Sequence, residues 1–238
     1  MAYDLLVKNG TVVDGSGSSG YRADVGIIDG KIAAIGRINE GAKQTIEADG
    51  HIVSPGFVDG HTHMDAQIFW DPIGSCSCYH GVTSVVMGYC GFTLAPCKQE
   101  DADRVFRNLE RAEDLSRDAM LAGIDWRWET FPEFLDVIDE LPKGINYAGY
   151  IGHSALRTYV MGERAFSDAA SEDDVRNMQQ LVKQAVQAGA IGFSTSRTFN
   201  HLTADDRPVA SRIAEWDEVR AIVNAVGETG KGLFEIAG

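Results

Sequence analysis

After Pro55, short apolar runs alternate with longer amphipathic segments, and this alternation limits the possible folds more than any other feature of the chain. The runs have strand length and almost no charge, as strands buried on both faces of a sheet require. Such strands alternating with helices are typical of an α/β fold with a parallel sheet. The apolar runs are IVSPGFVDGHTH, VTSVVMGYCG, INYAGYIGHS, AIGFSTS and GLFEIAG.

The segments between the runs carry apolar residues every three or four positions, which predicts helices. EDADRVFRNLERAEDLSRDAM is predicted to be helical on this spacing alone. TFPEFLDVIDEL opens on Thr130, with Pro132 and Glu133 in its first turn, a signal for a helix start. SEDDVRNMQQLVKQAVQAG has Ser171 as its N-cap and Gly189 as its C-cap. AEWDEVRAIVNAVGETG is the last of these segments.

Residues 3–50 have a different texture, with short apolar stretches around pairs of turn residues. The pairs Asn9-Gly10, Asp29-Gly30 and Asp49-Gly50 are each typical of a β-hairpin turn. These signals predict antiparallel strands. We therefore expect two parts, a β unit over residues 1–53 and an α/β unit over residues 54–238.

Composition narrows the range of functions. The chain has 21 basic and 35 acidic residues, a net charge of −14, which argues against binding to nucleic-acid phosphates. No apolar run approaches the roughly 20 residues of a membrane span, and the N-terminus lacks the pattern of a signal peptide. The four cysteines lie close together between Cys76 and Cys97, unlike the spread of a disulfide scaffold. A reducing cytoplasm is the expected location.

Polar residues follow the ends of the predicted strands, where α/β proteins carry their chemistry. His61 and His63 follow the first run, and in an extended segment two residues separated by one point the same way. Cys90 follows the second run. Imidazole and thiolate both suit Zn²⁺, so these three side chains are candidate ligands. Packing histidines and a buried, apolar cysteine are the alternatives.

The sequence resembles the amidohydrolase superfamily, and within it the N-acyl-D-amino-acid deacylase (D-aminoacylase) branch. The first-strand pattern IVSPGFVDGHTHMD is typical of the superfamily. The cysteine in GYCGFTLAP is typical of the branch, because many relatives bridge metals with a carbamylated lysine instead. HTHMDAQIFWDP, SCYHGVTSVVMGYCGFTLAP, YIGHSALR and GAIGFSTSRT extend the resemblance over essentially the whole chain.

The resemblance implies a (β/α)₈ barrel with a small β-sandwich built partly from the N-terminus. It also implies an amidase in which water activated by one or two zinc ions attacks an amide carbonyl. By position, His61, His63 and Cys90 match the metal ligands. His153 matches a residue expected near the substrate, and Asp65 is expected to orient a histidine from outside the metal's own ligand set.

The sequence departs from the resemblance in two respects. Only five strands are predicted after residue 51, so a sixth-strand histidine ligand and the proton-shuttling aspartate of an eighth strand are expected beyond Gly238. The remaining barrel strands would then come from downstream sequence or from another chain. In the fifth strand Ala237 stands roughly where the branch has a histidine, and Glu235 lies two residues earlier. Glu235 is either an oxygen ligand or a buried carboxylate with its own partners.

Two further residues are candidates for substrate binding. Arg197 offers a planar fork for a substrate carboxylate, with a salt bridge to Asp205 or Asp206 as the alternative. His201 lies in a polar loop after the fourth strand, where barrel enzymes contact substrate, although a solvated histidine fits as well.

The leading hypothesis is a zinc-dependent hydrolase of N-acyl-D-amino acids, with a small molecule as its partner. A cyclic amidohydrolase of the hydantoinase or dihydropyrimidinase kind is the nearest alternative, and Cys90 in place of a bridging lysine argues against it. The alternative from another class is an incomplete, non-catalytic portion that needs the rest of the barrel.

Overall fold

The computed structural model describes residues 2–238. The chain forms two compact units, which are joined in sequence between Gly56 and Phe57. None of the helices in this described part has both the length and the apolar character needed to cross a bilayer.

The N-terminal unit is a five-stranded mixed sheet. Its order is β3-β2-β1-β4, and β5 pairs with β1 as well. β2 pairs antiparallel with both β1 and β3, whereas β4 and β5 run parallel to β1. The prediction of antiparallel strands is therefore right for the first three strands and wrong for the last two. The strands are β1 (Tyr3–Val12), β2 (Tyr21–Ile28), β3 (Lys31–Gly36), β4 (Ala42–Glu47) and β5 (Ile52–Val53).

The three predicted turns have three different outcomes. Asp29-Gly30 joins β2 to β3 as predicted. Asp49-Gly50 is a turn, but the strands on either side of it pair with β1 instead of with each other. Asn9-Gly10 is not a turn, because it lies inside β1 at a break in register.

The irregularity at Asn9 is stabilised by contacts distant in sequence. Asn9 adopts a left-handed φ of 60°. Its backbone N–H donates to Asp24 Oδ1 at 2.8 Å, and its side-chain amide donates to the Glu47 carboxylate. Partners on β2 and β4 thus turn a hairpin signal into a β-bulge.

The second unit contains a five-stranded parallel sheet, which confirms the predicted α/β class. Its order, β10-β9-β8-β7-β6, keeps neighbours in sequence beside each other. All C-terminal strand ends therefore lie at one edge of the sheet, where the candidate site residues follow. The strands are β6 (Phe57–Asp59), β7 (Val82–Met87), β8 (Asn146–Gly152), β9 (Gly192–Ser196) and β10 (Leu233–Ala237).

Helices fill the connections between these strands. In α4 the Thr130 side chain and Glu133 form the reciprocal capping box that the sequence predicts. In α6, Ser171 caps the N-terminus and Gly189 follows the last turn, again as predicted. The helices are α1 (Ser75–Cys78), α2 (Ala102–Glu110), α3 (Arg117–Gly123), α4 (Phe131–Glu140), α5 (His153–Met161), α6 (Glu172–Ala188), α7 (Ala210–Ile213) and α8 (Trp216–Glu228).

The predicted single helix over residues 100–120 is wrong, because the structure breaks it in two. α2 ends at Glu110, and α3 begins after Ser116, whose side chain accepts the Ala119 N–H. Asp114, between them, has a left-handed φ of 54°. Helical spacing continues across the break, so the apolar pattern gives no sign of it.

The core lies between the sheet and its covering helices. Ile151 and Phe193 on the strands are fully buried, together with Phe134, Val182 and Ile222 on α4, α6 and α8. The two edge strands instead expose apolar side chains: Phe57 on β6 is 65% exposed and Leu233 on β10 is 60% exposed. Exposed apolar groups of this kind mark an interface or an aggregation liability.

Replacing Gly192 by alanine tests the close pairing of β9 with β10. A β-carbon at Gly192 would lie 1.9 Å from the carbonyl oxygen of Leu233, its partner across the strands. We expect Gly192→Ala to lower the free energy of unfolding by about 1–3 kcal/mol or more, measured by urea denaturation. Gly227→Ala in α8 is the control, since its β-carbon would meet no heavy atom within 4 Å. It should stabilise the protein by up to about 1 kcal/mol, so equal stability of the two variants would contradict the packing described.

Candidate metal centre

His61 and His63 follow β6, and the residue between them fixes their direction. The Thr62 backbone N–H and hydroxyl both donate to the Val86 carbonyl on β7, at 2.9 and 2.8 Å. Thr62 is thereby buried against the neighbouring strand. The two imidazoles approach each other with ring centroids 5.4 Å apart, and the His61 ring also stacks on Tyr89 at 4.1 Å.

Cys90 lies in the short 3₁₀ turn Tyr89–Gly91 after β7, with a left-handed φ of 57°. Side chains from other parts of the chain accept the backbone N–H groups of this turn. Glu235 Oε2 on β10 accepts the Cys90 N–H at 3.0 Å, and Ser194 Oγ on β9 accepts the Gly91 N–H at 3.1 Å. The unusual conformation of Cys90 is thus held from two strands at once.

Gly88, which precedes this turn, is held just as closely. Its N–H donates to Asp65 Oδ2 at 3.0 Å, and its carbonyl accepts a hydrogen bond from the Ser194 hydroxyl. Its φ is 77°, and a β-carbon here would lie 2.5 Å from the Tyr150 carbonyl oxygen. Only glycine allows β7 and β8 to approach this closely at the point where the chain turns towards Cys90.

The structure brings His61, His63 and Cys90 together. Cys90 Sγ lies 3.4 Å from His61 Nε2 and 3.9 Å from His63 Nε2. The three ligand atoms all lie within 4.8 Å of one another. A tetrahedral zinc ion at its usual bond lengths separates nitrogen and sulfur ligands by about 3.5 Å. The arrangement therefore fits such a cation.

Glu113 also reaches this group, although nothing in the sequence pointed to it. Its Oε2 lies 3.1 Å from His63 Nε2, and its Oε1 lies 4.0 Å from His201 Nε2. Cys90, Glu113 and His201 form a second set whose ligand atoms lie within 4.8 Å of one another. In the sequence, Glu113 is one acid within a charged helical pattern and resembles a residue of a solvated face.

The electrostatics of the group favour a cation. Burial raises the pKa of the Cys90 thiol to about 12, and the charges of Glu113 and Glu235 add to the effect. Burial alone raises the pKa of Glu113 to about 7. Burial, with His61 and His201 nearby, lowers the pKa of His63 to about 4 and keeps its imidazole neutral, the form that binds metals. A divalent cation would stabilise the thiolate and carboxylate that burial disfavours.

Asp65 and Glu235 support the Cys90 turn through its backbone. Asp65 accepts the Gly88 N–H and makes no hydrogen bond to an imidazole in the described structure, so the expected contact with a histidine is wrong. Glu235 accepts the Cys90 N–H and belongs to neither set of clustered ligand atoms within residues 2–238. Its assignment as a metal ligand stays a prediction.

His153 does not reach the candidate site. It is fully buried, and its ring nitrogens each lie 2.8 Å from a partner, Nδ1 from Thr195 Oγ1 and Nε2 from Glu218 Oε1. Arg157 completes this buried network by donating to Glu218. Both ring nitrogens are occupied and no surface is accessible, which contradicts the predicted substrate contact.

Arg197 and His201 follow β9, next to the site edge. His201 Nδ1 is hydrogen-bonded to Ser196 Oγ at 2.7 Å, which fixes the ring. The Arg197 guanidinium donates to the Arg212 carbonyl at 3.2 Å and lies 4.6 Å above the Trp216 ring. Its Nε and Nη2 are buried with no hydrogen-bond partner among residues 2–238.

The alternative of a salt bridge from Arg197 to Asp205 or Asp206 is wrong. Both aspartates pair with other arginines, Asp205 with Arg207 and Asp206 with Arg111. Two donors of the Arg197 fork therefore remain without an acceptor within the described residues.

The sequence of this chain is similar to a family model and to the sequences of known enzymes. A sequence model of the amidohydrolase family matches residues 44–233. The D-aminoacylase of Alcaligenes xylosoxydans xylosoxydans is 36% identical over 194 residues, which cover 81% of this chain and 37% of that protein. A D-hydantoinase of Ralstonia pickettii is 31% identical over 195 residues, which cover 79% of this chain and 38% of that protein.

The chain is also similar to a solved structure. The N-acyl-D-glutamate deacylase of Bordetella bronchiseptica, crystallised with zinc and a phosphonate inhibitor, matches with a TM-score of 0.79 and 27% identity. The match covers 99% of this chain and 45% of that chain. The chain thus spans less than half the length of each of these three relatives.

Two substitutions of Glu235 test whether its carboxylate supports the Cys90 turn or binds the metal. Glu235→Gln keeps an oxygen that accepts the Cys90 N–H, whereas Glu235→Ala removes it. We expect the alanine variant to lose zinc affinity by about tenfold or more and the glutamine variant to stay close to the original protein. Competition with a chromophoric chelator measures both affinities. Equal, severe losses in the two variants would instead identify Glu235 as a ligand.

Asp65 makes the stability of the metal-free protein depend on pH. Burial raises the pKa of its carboxyl group from the ordinary 3.8 to about 7. The folded protein therefore holds the proton more tightly than the unfolded chain, and stability is lost as pH rises from about 4 to about 7. Each tenfold difference in proton affinity between the folded and unfolded states is worth about 1.4 kcal/mol.

Asp65→Asn should abolish this contribution, because the amide oxygen still accepts the Gly88 N–H without carrying a charge. Urea unfolding of the metal-free protein at pH 5 and pH 8 measures the difference. We expect the original protein to lose more stability between these two values than Asp65→Asn does. Parallel losses in the two proteins would contradict the assignment.

Proposed function

This chain belongs to the amidohydrolase family, and we propose that it serves the zinc-dependent hydrolysis of the amide bond of N-acyl-D-amino acids. The observation that carries the proposal is the convergence of His61, His63 and Cys90 at the C-terminal edge of a parallel sheet. Similarity to a D-aminoacylase and to a zinc-containing N-acyl-D-glutamate deacylase supports the substrate class.

The proposed roles follow from the geometry of the side chains. His61, His63 and Cys90 would hold one zinc ion, and a second ion is compatible with the neighbouring set that includes His201. When bound, zinc supplies Lewis-acid activation of water and of the amide carbonyl. Asp65 and Ser194 keep the Cys90 turn in place, and Thr62 keeps the two histidines directed at it.

Arg197 is the proposed contact for the substrate carboxylate. Its Nε and Nη2 lack acceptors among the described residues, and a guanidinium fork matches a carboxylate in shape and charge. Every N-acyl amino acid carries a carboxylate one carbon away from the amide nitrogen. His201, held by Ser196 beside the candidate ligands, is proposed to contact the substrate at the same edge.

Two other hypotheses give different expectations. A cyclic amidohydrolase is the second hypothesis, because Cys90 is a candidate ligand where hydantoinase-like relatives are expected to use a lysine. The identity to the D-hydantoinase is also lower than the identity to the D-aminoacylase. The remaining hypothesis is a metal-binding chain without turnover of its own, which would need further barrel strands to complete the site. The (β/α)₈ barrel, the β-sandwich and a cytoplasmic location stay predictions.

Substitution of the candidate ligands tests the centre directly. We expect His61→Asn, His63→Asn and Cys90→Ser each to lower zinc affinity by at least about tenfold, since each removes one of three donors. Elemental analysis and chelator competition measure the bound metal. Cys76→Ser and His80→Asn are matched controls, because these exposed residues belong to neither ligand set. Unchanged affinity in Cys90→Ser would contradict the proposed centre.

Hydrolysis assays on the zinc-loaded protein distinguish the three hypotheses. Release of acetate from N-acetyl-D-amino acids, with slower release from the L-isomers, is the expected result. Opening of a hydantoin ring in preference to both would favour the cyclic amidohydrolase. Zinc binding without any turnover would favour the non-catalytic hypothesis.

A further inference from the structure

The connection 111–116 between α2 and α3 brings Glu113 to the metal site. Helix α2 stops at Glu110, and the left-handed Asp114 redirects the chain before α3 begins. The Arg111 side chain is 46% exposed, whereas the Glu113 side chain is only 14% exposed. The connection thus places a single carboxylate among the imidazoles.

The contact with His63 uses the nitrogen that a cation would need. Glu113 Oε2 lies 3.1 Å from His63 Nε2, and the same nitrogen lies 3.9 Å from Cys90 Sγ. The other ring nitrogen, Nδ1, is buried without a hydrogen-bond partner in residues 2–238. A nitrogen that binds a cation has no proton to donate to Glu113. Once the cation is bound there, the carboxylate stands beside the cation, and zinc accepts carboxylate oxygens at about 2.0–2.2 Å.

The second carboxylate oxygen of Glu113 has no hydrogen-bond partner in the described part of the chain. Glu113 Oε1 is buried and accepts no hydrogen bond within residues 2–238, and it lies 4.0 Å from His201 Nε2. A buried, unpaired carboxylate oxygen is costly unless a ligand satisfies it. With Cys90 it completes the second set of clustered ligand atoms. One oxygen of the Glu113 carboxylate therefore faces His63 Nε2, and the other faces His201 Nε2.

We propose that Glu113 is a metal ligand supplied by a helix-to-helix connection, and that a bound divalent cation fixes residues 111–116 against the sheet edge. The inference rests on the proposed function, because it requires a cation at His61, His63 and Cys90. The cation is of the class that accepts imidazole, thiolate and carboxylate together, as zinc does. Unlike ligands on strand ends, Glu113 couples metal loading to the order of a surface segment.

The test compares Glu113→Gln with Asp114→Asn in the purified 238-residue protein. Glu113→Gln keeps the size of the side chain and removes its charge. Asp114→Asn removes a charge from the adjacent position, and asparagine tolerates its left-handed backbone. We expect zinc affinity to fall by at least about tenfold in Glu113→Gln and to stay unchanged in Asp114→Asn.

Hydrogen exchange supplies a readout that does not depend on activity. Peptides covering residues 111–116 should exchange more slowly when the original protein and Asp114→Asn are saturated with zinc. In Glu113→Gln, saturating zinc should leave their exchange unchanged. A merely structural role for Glu113 would instead change the exchange of this segment already in the metal-free protein, and that result would overturn the proposal.

His61→Asn separates this inference from the proposed function. If His61→Asn loses zinc while Glu113→Gln keeps both its affinity and its zinc-dependent protection, the ligand role of Glu113 is wrong and the centre stands. If affinity falls in Glu113→Gln but protection of 111–116 persists, the coupling to the segment is wrong. If the original protein binds no zinc, the centre and this inference fail together.

Discussion

The anchoring of the turn around Cys90 is the constraint on which the candidate site depends. Side-chain oxygens of Asp65, Glu235 and Ser194 accept the N–H groups of Gly88, Cys90 and Gly91 in turn. These acceptors come from the segment after β6 and from strands β10 and β9. The parallel sheet brings all of them to one edge, so the thiol of Cys90 can face two imidazoles while its backbone keeps a left-handed conformation.

A second network joins the C-terminal ends of β8 and β9 to α8. His153 links Thr195 on β9 to Glu218 on α8, and Arg157 on α5 completes the charge balance at Glu218. Every residue of this network is buried. Because each of these buried polar groups has a partner, the network connects β9, α5 and α8 without leaving a charge unpaired. Ser196, which follows Thr195, holds His201 next to the candidate ligands.

The site contains acidic side chains whose charged forms are disfavoured by burial. Cys90, Glu113 and Glu235 all have raised pKa values, with burial as the largest cause. The imidazoles of His61 and His63 beside them can donate lone pairs to a cation, and the cation would then balance the negative charge of the acids. This balance of charge is what a divalent metal site requires.

The sequence by itself determined the α/β class, the five parallel strands, the caps of α4 and α6, and the approach of His61, His63 and Cys90. These features follow from local patterns, because strand ends meet at one edge and capping needs only neighbours in sequence. Tertiary structure alone decided the rest. Contacts with carboxylates on β2 and β4 hold Asn9-Gly10 as a β-bulge instead of a hairpin turn. The apolar pattern predicts one continuous helix, but the helix is interrupted between α2 and α3, and this interruption places Glu113 at the site. His153 is buried with a partner at each ring nitrogen and does not reach the site. Glu235 accepts the backbone N–H of Cys90, 145 residues away in the sequence. Each of these outcomes depends on which distant group satisfies a polar atom, and spacing along the chain does not record that.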